Sequence, residues 1–118
     1  MNTATMKSTH KSSTSQMMLI MTSFPQMEEA RSCSKHLLEQ HMIACANIIP
    51  SALSLYFWQN ELIEDQECLV IMKTLNHKIP SVKDYIEAHH SFDVPEFIAH
   101  PVSETTDTYL SWIQKEIS

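Results

Sequence analysis

Glycine is absent from all 118 residues. That excludes a glycine-rich phosphate loop of the Walker or the dinucleotide type, because both need the close backbone approach that glycine permits. Turns that need positive φ must use Asn, Asp or Ser instead, and Asn60 and Asn76 are the positions expected to supply it. Cysteine is scarce and odd in number: Cys33, Cys45 and Cys68, with no CxxC spacing. A disulfide framework is therefore not expected, and the usage fits a reducing, cytoplasmic setting. Basic residues are few, with 8 Lys and Arg against 14 Asp and Glu and a formal net charge of -6. No Lys/Arg stripe offsets that charge, so nucleic acid is not an expected partner. No apolar run approaches the roughly 20 residues that span a bilayer, so no membrane partner is expected either.

What remains is the composition of a globular chain, with 43% hydrophobic residues. Residues 1–15 are rich in Ser, Thr and Lys and poor in large apolar side chains. No apolar stretch follows Lys7 or Lys11, so the segment does not read as a signal peptide. It reads as a flexible tail, because it has no apolar surface to offset the entropy of ordering. One domain is expected over 16–118.

Met17 to Met21 is a short apolar run, expected as a buried strand that closes at Thr22-Ser23-Phe24-Pro25. Pro25 suits the first turn of a helix, and Ala30, Cys33, Leu37 and Leu38 carry a helical period to about Gln40. A strand follows from Met42 to Ile49. The chain then resumes as strand past Pro50-Ser51, which reads as a bulge or bend in one long element. Leu53, Leu55 and Phe57 alternate with Ser54, Tyr56 and Trp58. Gln59-Asn60-Glu61 makes a turn, and Leu62 to Thr74 returns as a strand. A second helix follows Asn76, with Pro80 in its first turn. A fourth strand is expected over Val94 to Val102. A last helix starts near Asp107, capped by Thr105 or Thr106, with Tyr109, Trp112, Ile113 and Ile117 inward.

This order predicts an α+β fold: a ferredoxin-like βαββαβ sandwich with an extended hairpin and an additional C-terminal helix. The hairpin is far longer than two strands of five or six residues require. Its aromatic side chains would stand in water unless another chain covers them, so a closed oligomer is expected. Tyr56, Phe57 and Trp58 are the expected interface anchors.

Five segments then carry a family resemblance. Ala44-Cys45-Ala46-Asn47-Ile48-Ile49-Pro50 resembles the strand-two signature of the CutA divalent-cation-tolerance family. Ser54-Leu55-Tyr56-Phe57-Trp58 matches its S-x-Y-x-W strand, and Lys73-Thr74 its K-T. His90-Ser91-Phe92-Asp93-Val94-Pro95-Glu96 is similar to its H-P-Y-E-V-P-E segment, and Tyr109 to Ile113 to its closing Y-L-x-W-I helix. The departures are Ser91, Phe92 and Asp93, and Asn60 near the family's hairpin glycine. The resemblance implies a cytoplasmic homotrimer linked to divalent-cation tolerance, with weak binding of copper or another divalent cation. It also implies a trimer shaped like the PII signalling proteins. The alternative function is therefore a PII-like scaffold that holds a small molecule or a partner protein between subunits.

Carried over position by position, the resemblance places the metal ligands at Met21, His89 and His90. Imidazole suits Cu(II) and thioether suits Cu(I). The same histidines can instead serve a helix C-terminus, and Met21 can be core filler. Lys73, Glu96 and Glu67 are expected in a cleft between subunits. Glu64, Asp65 and Glu67 can bind a hard cation, hold an acid/base pair, or form a solvated or subunit-bridging face. Cys45 reads as a small buried hydrophobe. No Ser/His/Asp or Cys/His set emerges, so catalysis is not the expected role.

Overall fold

The computed structural model describes residues 16–117. The stretch read above as a flexible tail lies outside the described residues. The elements are β1 (Met17–Phe24), α1 (Met27–Glu39), β2 (Cys45–Trp58), β3 (Glu61–Leu75), a 3₁₀ turn (Asn76–Lys78), α2 (Ile79–His89), β4 (Ile98–Pro101) and α3 (Asp107–Ile117). Four strands form one antiparallel sheet in the order β2-β3-β1-β4. The fold is the expected ferredoxin-like α+β sandwich, with the long hairpin and the extra helix. No helix among the described residues is long and apolar enough to cross a membrane.

Strand alternation divides the core in two. Ile20 and Phe24 of β1 and Cys68, Val70 and Met72 of β3 turn toward the helices. There they pack against Ala30, Cys33 and Leu37 of α1 and Val82 and Ile86 of α2, at the three-to-four spacing of a helix face. Met17 and Leu75, a register pair on the other face, pack with Ala44 and with Ile113 and Ile117 of α3. Each large aliphatic side chain so buried contributes about 1.5–3 kcal/mol.

Several boundaries differ from the sequence expectation. Pro25 precedes the N-cap, Gln26, rather than sitting in the first turn. β2 starts at Cys45 rather than Met42, because the chain first has to leave α1. The His41 amide bonds the Leu38 carbonyl and the Met42 amide bonds the Leu37 carbonyl, which is a Schellman closure. The left-handed position glycine would take is His41, at φ 57°. Its Nδ1 donates to the Glu116 carbonyl at 3.0 Å, tying the end of α1 to α3. Asn76 opens the 3₁₀ turn and takes no positive φ; the left-handed residues of the hairpin are Gln59 (50°) and Asn60 (69°). Two consecutive positive φ values form the type I′ turn that matches strand twist. β4 is confined to Ile98–Pro101, the stretch that pairs with Met18–Met21. The expected cap at Thr106 is present, its Oγ1 accepting from the Tyr109 amide at 3.2 Å. Trp112, expected inward, stands 41% exposed.

The Pro50-Ser51 irregularity lies where expected: Ile49 pairs with Leu69 and Ala52 with Glu67, so β2 gains one residue on β3. Asn60→Val places a β-branched residue in the left-handed region. It should cost about 1–2 kcal/mol, while Asn60→Gly should cost nothing. Denaturant unfolding of the two variants measures the difference.

Candidate functional site

Helix α2 ends at His89, and His90 takes an extended conformation (φ -75°, ψ 143°) that turns the chain into the 91–96 loop. The His90 ring is fully buried, stacked on Phe24 with centroids 4.5 Å apart. Its Nε2 donates to the Ser23 carbonyl at 2.7 Å, and its Nδ1 accepts from the Phe92 amide at 3.0 Å. Both nitrogens are thus committed to backbone, with the proton on Nε2. Glu29 of α1 fixes the next residue, accepting from the Ser91 amide at 2.9 Å and the Ser91 hydroxyl at 2.8 Å. His90 and Glu29 together pin the loop to β1 and α1.

The metal set expected at Met21, His89 and His90 is not brought together within the chain. Met21 pairs with Ile71 and Ile98 and projects from the sheet face opposite Phe24 and His90. His89 is exposed; its Nδ1 bonds the Tyr85 carbonyl at 3.0 Å and its ring stacks on Tyr85 at 4.1 Å. Tyr85 also stacks with His36 at 4.4 Å. Among the described residues no group of three or more His, Cys, Asp or Glu stands close enough to hold a metal ion. The Nε2 of His89 is the nitrogen of the pair left for an external ligand.

Within one chain no hydrogen bond or ion pair joins Lys73, Glu67 and Glu96 to one another. Lys73 bonds the Asn47 carbonyl oxygen of the side-chain amide and lies 4.0 Å from Cys45 Sγ. Glu67 accepts from Ser54 Oγ at 2.9 Å, further along β3. Glu96 lies instead in a cleft of about 500 Å³ with Ser23, Tyr56, Trp58, Phe92 and Asp93. This cleft joins the far half of the hairpin to the pinned loop. Asp65, one of the acidic hairpin residues, accepts from Tyr56 Oη at 2.8 Å and so orients that ring. The same hydrogen bond and the charges of Asp65 and Glu67 hold the Tyr56 phenol above its ordinary pKa, with desolvation adding to them.

A second cavity of about 530 Å³ lies between α1 and α2, lined in part by Phe24, Cys33, Tyr85 and Ile86. Burial, with Glu29 nearby, pushes the Cys33 thiol up to about 11, so it is protonated and unreactive at neutral pH. The sequence reading missed the roles of Glu29, Ser91 and Phe92. The Glu29–Ser91 contact spans 62 residues of chain, and nothing local signals it.

Two outcomes follow. His90→Ala strands the Phe92 amide and the Ser23 carbonyl and should cost about 2–4 kcal/mol in denaturant unfolding, against under about 1 kcal/mol for exposed His89→Ala. Asp65→Asn removes the acceptor charge beside Tyr56. The absorbance titration of Tyr56 near 295 nm should then move to lower pH, while the Tyr85 titration stays in place.

A family model described as CutA1 divalent ion tolerance protein matches residues 18–116. The divalent-cation tolerance protein CutA of Thermus thermophilus is 39% identical over 97 residues, covering 82% of this chain and 94% of that one. Human protein CutA is 32% identical over 91 residues, covering 77% of this chain and 51% of the human one. Among solved structures, CutA1 from Ehrlichia chaffeensis superposes with a TM-score of 0.84 at 32% identity, over 87% of this chain and 96% of that one. The family match takes in the long hairpin and the sequence segments on it, and the chain belongs to the CutA1 divalent ion tolerance protein family.

Proposed function

We propose that the chain acts as a closed homotrimer in divalent-cation tolerance in the cytoplasm, binding copper weakly through exposed imidazole. The observation that carries the trimer is the outer face of the hairpin. Leu53, Leu55, Phe57 and Leu62 stand 58–73% exposed there, on strands that stretch the molecule to 61 Å against 28 and 24 Å. Leu55 and Phe57 share one face with their cross-strand neighbours, and Phe57 pairs with Leu62. Covering such side chains gains about 1.5–3 kcal/mol each, set against an association cost of about 4–15 kcal/mol. Several must be covered together for the contact to hold. A ring of copies does this without leaving an unpaired edge, whereas an open contact of the same kind propagates into fibres.

Three unpaired cysteines fit a reducing compartment. The support for copper is the family and the chemistry of His89, whose outward imidazole suits Cu(II). One exposed imidazole with no fixed neighbouring ligand binds loosely, which is why the affinity is expected to be low.

Light scattering should give a mass of three chains of 13.6 kDa each. Leu55→Asp and Phe57→Asp, each placing a charge in the covered face, should shift the protein to smaller species; a folded single chain for the wild type at micromolar concentration would end the proposal. Copper calorimetry on wild type and His89→Ala tests the metal. Equal heats in both would take His89 out of the account.

A further inference from the structure

Helices α1 and α2 lie on the same face of the sheet and leave a groove between them. Two cavities make up the groove. One, of about 530 Å³, has the core side chains Phe24, Cys33 and Ile86 in its lining. The other, of about 550 Å³, is lined by Arg31, Lys35, His36 and Glu39. Glu28, Ser32 and Tyr85 line both, so the two are continuous. Glu28, Arg31, Ser32 and Lys35 recur at three- and four-residue spacing, which places them along one stripe of α1. None of these four side chains has a hydrogen-bond or ion-pair partner among the described residues. Glu29 differs, because both its oxygens accept from Ser91. Tyr85 is held between two imidazoles, His36 at 4.4 Å and His89 at 4.1 Å, so its faces are taken and its edge is what a ligand meets. No residue of the hairpin lines either cavity, so the groove shares no side chain with the contacts between copies assigned above.

A cavity of this size, with apolar surface and a few polar groups, suits a small molecule. A ligand that is only an anion meets Glu28 as well as Arg31 and Lys35, and a ligand that is only a cation meets the two bases, so each leaves a repulsive contact. A bare metal ion wants several converging oxygen or nitrogen donors, and here opposite charges alternate instead. A molecule with both charges on adjoining atoms satisfies the stripe. Residues three apart on a helix have Cβ atoms about 5–6 Å apart, and long side chains at that spacing can close on two groups carried by one carbon. The apolar lining then favours a large apolar substituent, and an aromatic one meets the Tyr85 edge in a favoured geometry. We propose that the groove binds a free α-amino acid with a large apolar side chain, its ammonium on Glu28, its carboxylate on Arg31 and Lys35, and its side chain against Phe24, Cys33 and Ile86. This goes beyond divalent-cation tolerance and needs neither copper nor a metal-ligating His89.

The experiment titrates the full chain with L-phenylalanine in a calorimeter. The buffer carries EDTA, because α-amino acids chelate copper and would otherwise report on the metal. Three analogues each remove one element: glycine lacks the apolar side chain, 2-phenylethylamine the carboxylate, and 3-phenylpropanoate the ammonium. L-Phenylalanine should bind saturably, glycine at least about tenfold more weakly, and each single-charge analogue at least about threefold more weakly. Two exposed substitutions on α1 then assign the charges, with unfolding curves showing that both variants fold. Arg31→Gln should weaken L-phenylalanine by about three- to tenfold and leave 2-phenylethylamine binding equal or stronger; Glu28→Gln should weaken L-phenylalanine similarly and leave 3-phenylpropanoate equal or stronger. Any one of four results overturns the proposal: no saturable heat with L-phenylalanine up to high millimolar concentration, glycine binding as well as L-phenylalanine, either single-charge analogue binding as well as L-phenylalanine, or L-phenylalanine affinity unchanged in either folded variant.

Discussion

The long antiparallel ladder between β2 and β3 sets the rest of the structure, and one extra residue in it decides which way the aromatic side chains point. Before the bulge, Ile48 pairs with Val70 on the helix face; after it, Ser54 pairs with Asp65 and Tyr56 with Ile63. A one-residue slip exchanges the two faces of a strand. Even-numbered β2 side chains therefore leave the core side at Pro50-Ser51, and Tyr56 and Trp58 emerge on the face that bends toward Ser23 and the 91–96 loop. Proline suits that position because it donates no ladder hydrogen bond. Removing the extra residue would bring Leu53, Leu55 and Phe57 to the cleft side and send the two aromatic hydrogen-bonding residues outward.

The second determinant is the commitment of His90. A buried imidazole with both nitrogens bonded to backbone fixes the loop that follows, and each bond lost would strand a polar group away from water. Glu29 completes the anchor from α1. The result is a loop held at the level of β1, so that Phe92, Asp93 and Glu96 face the hairpin. A residue pair that looks like a metal motif in the sequence thus divides its labour. His90 works on the protein itself, and His89 stays on the surface against Tyr85.

A chain without glycine must find its left-handed positions elsewhere, and it uses side chains that recover something for the strain. His41 bonds across to α3, and Asn60 shares a type I′ turn with Gln59. These substitutions let both the α1 exit and the hairpin tip keep the backbone geometry that glycine ordinarily supplies.

By itself the sequence determined the element order, the split βαβ pattern, the bulge at Pro50, the turn at Asn60, the helical faces of α1 and α2, and the family. All of these follow from short-range periodicity, turn chemistry or short motifs, which act within a few residues. It left β4 too long and turned Trp112 inward, because the end of an edge strand and the covered face of a terminal helix depend on what packs beside them. Only the tertiary structure decided that Met21 and His90 lie on opposite sides of the sheet, that Glu29 and His90 hold the 91–96 loop, and that Glu96 meets Tyr56 and Trp58. The physical reason is that these placements hang on strand register and on contacts between residues tens of positions apart, and a side chain carries no local mark of the partner it will meet across such a distance.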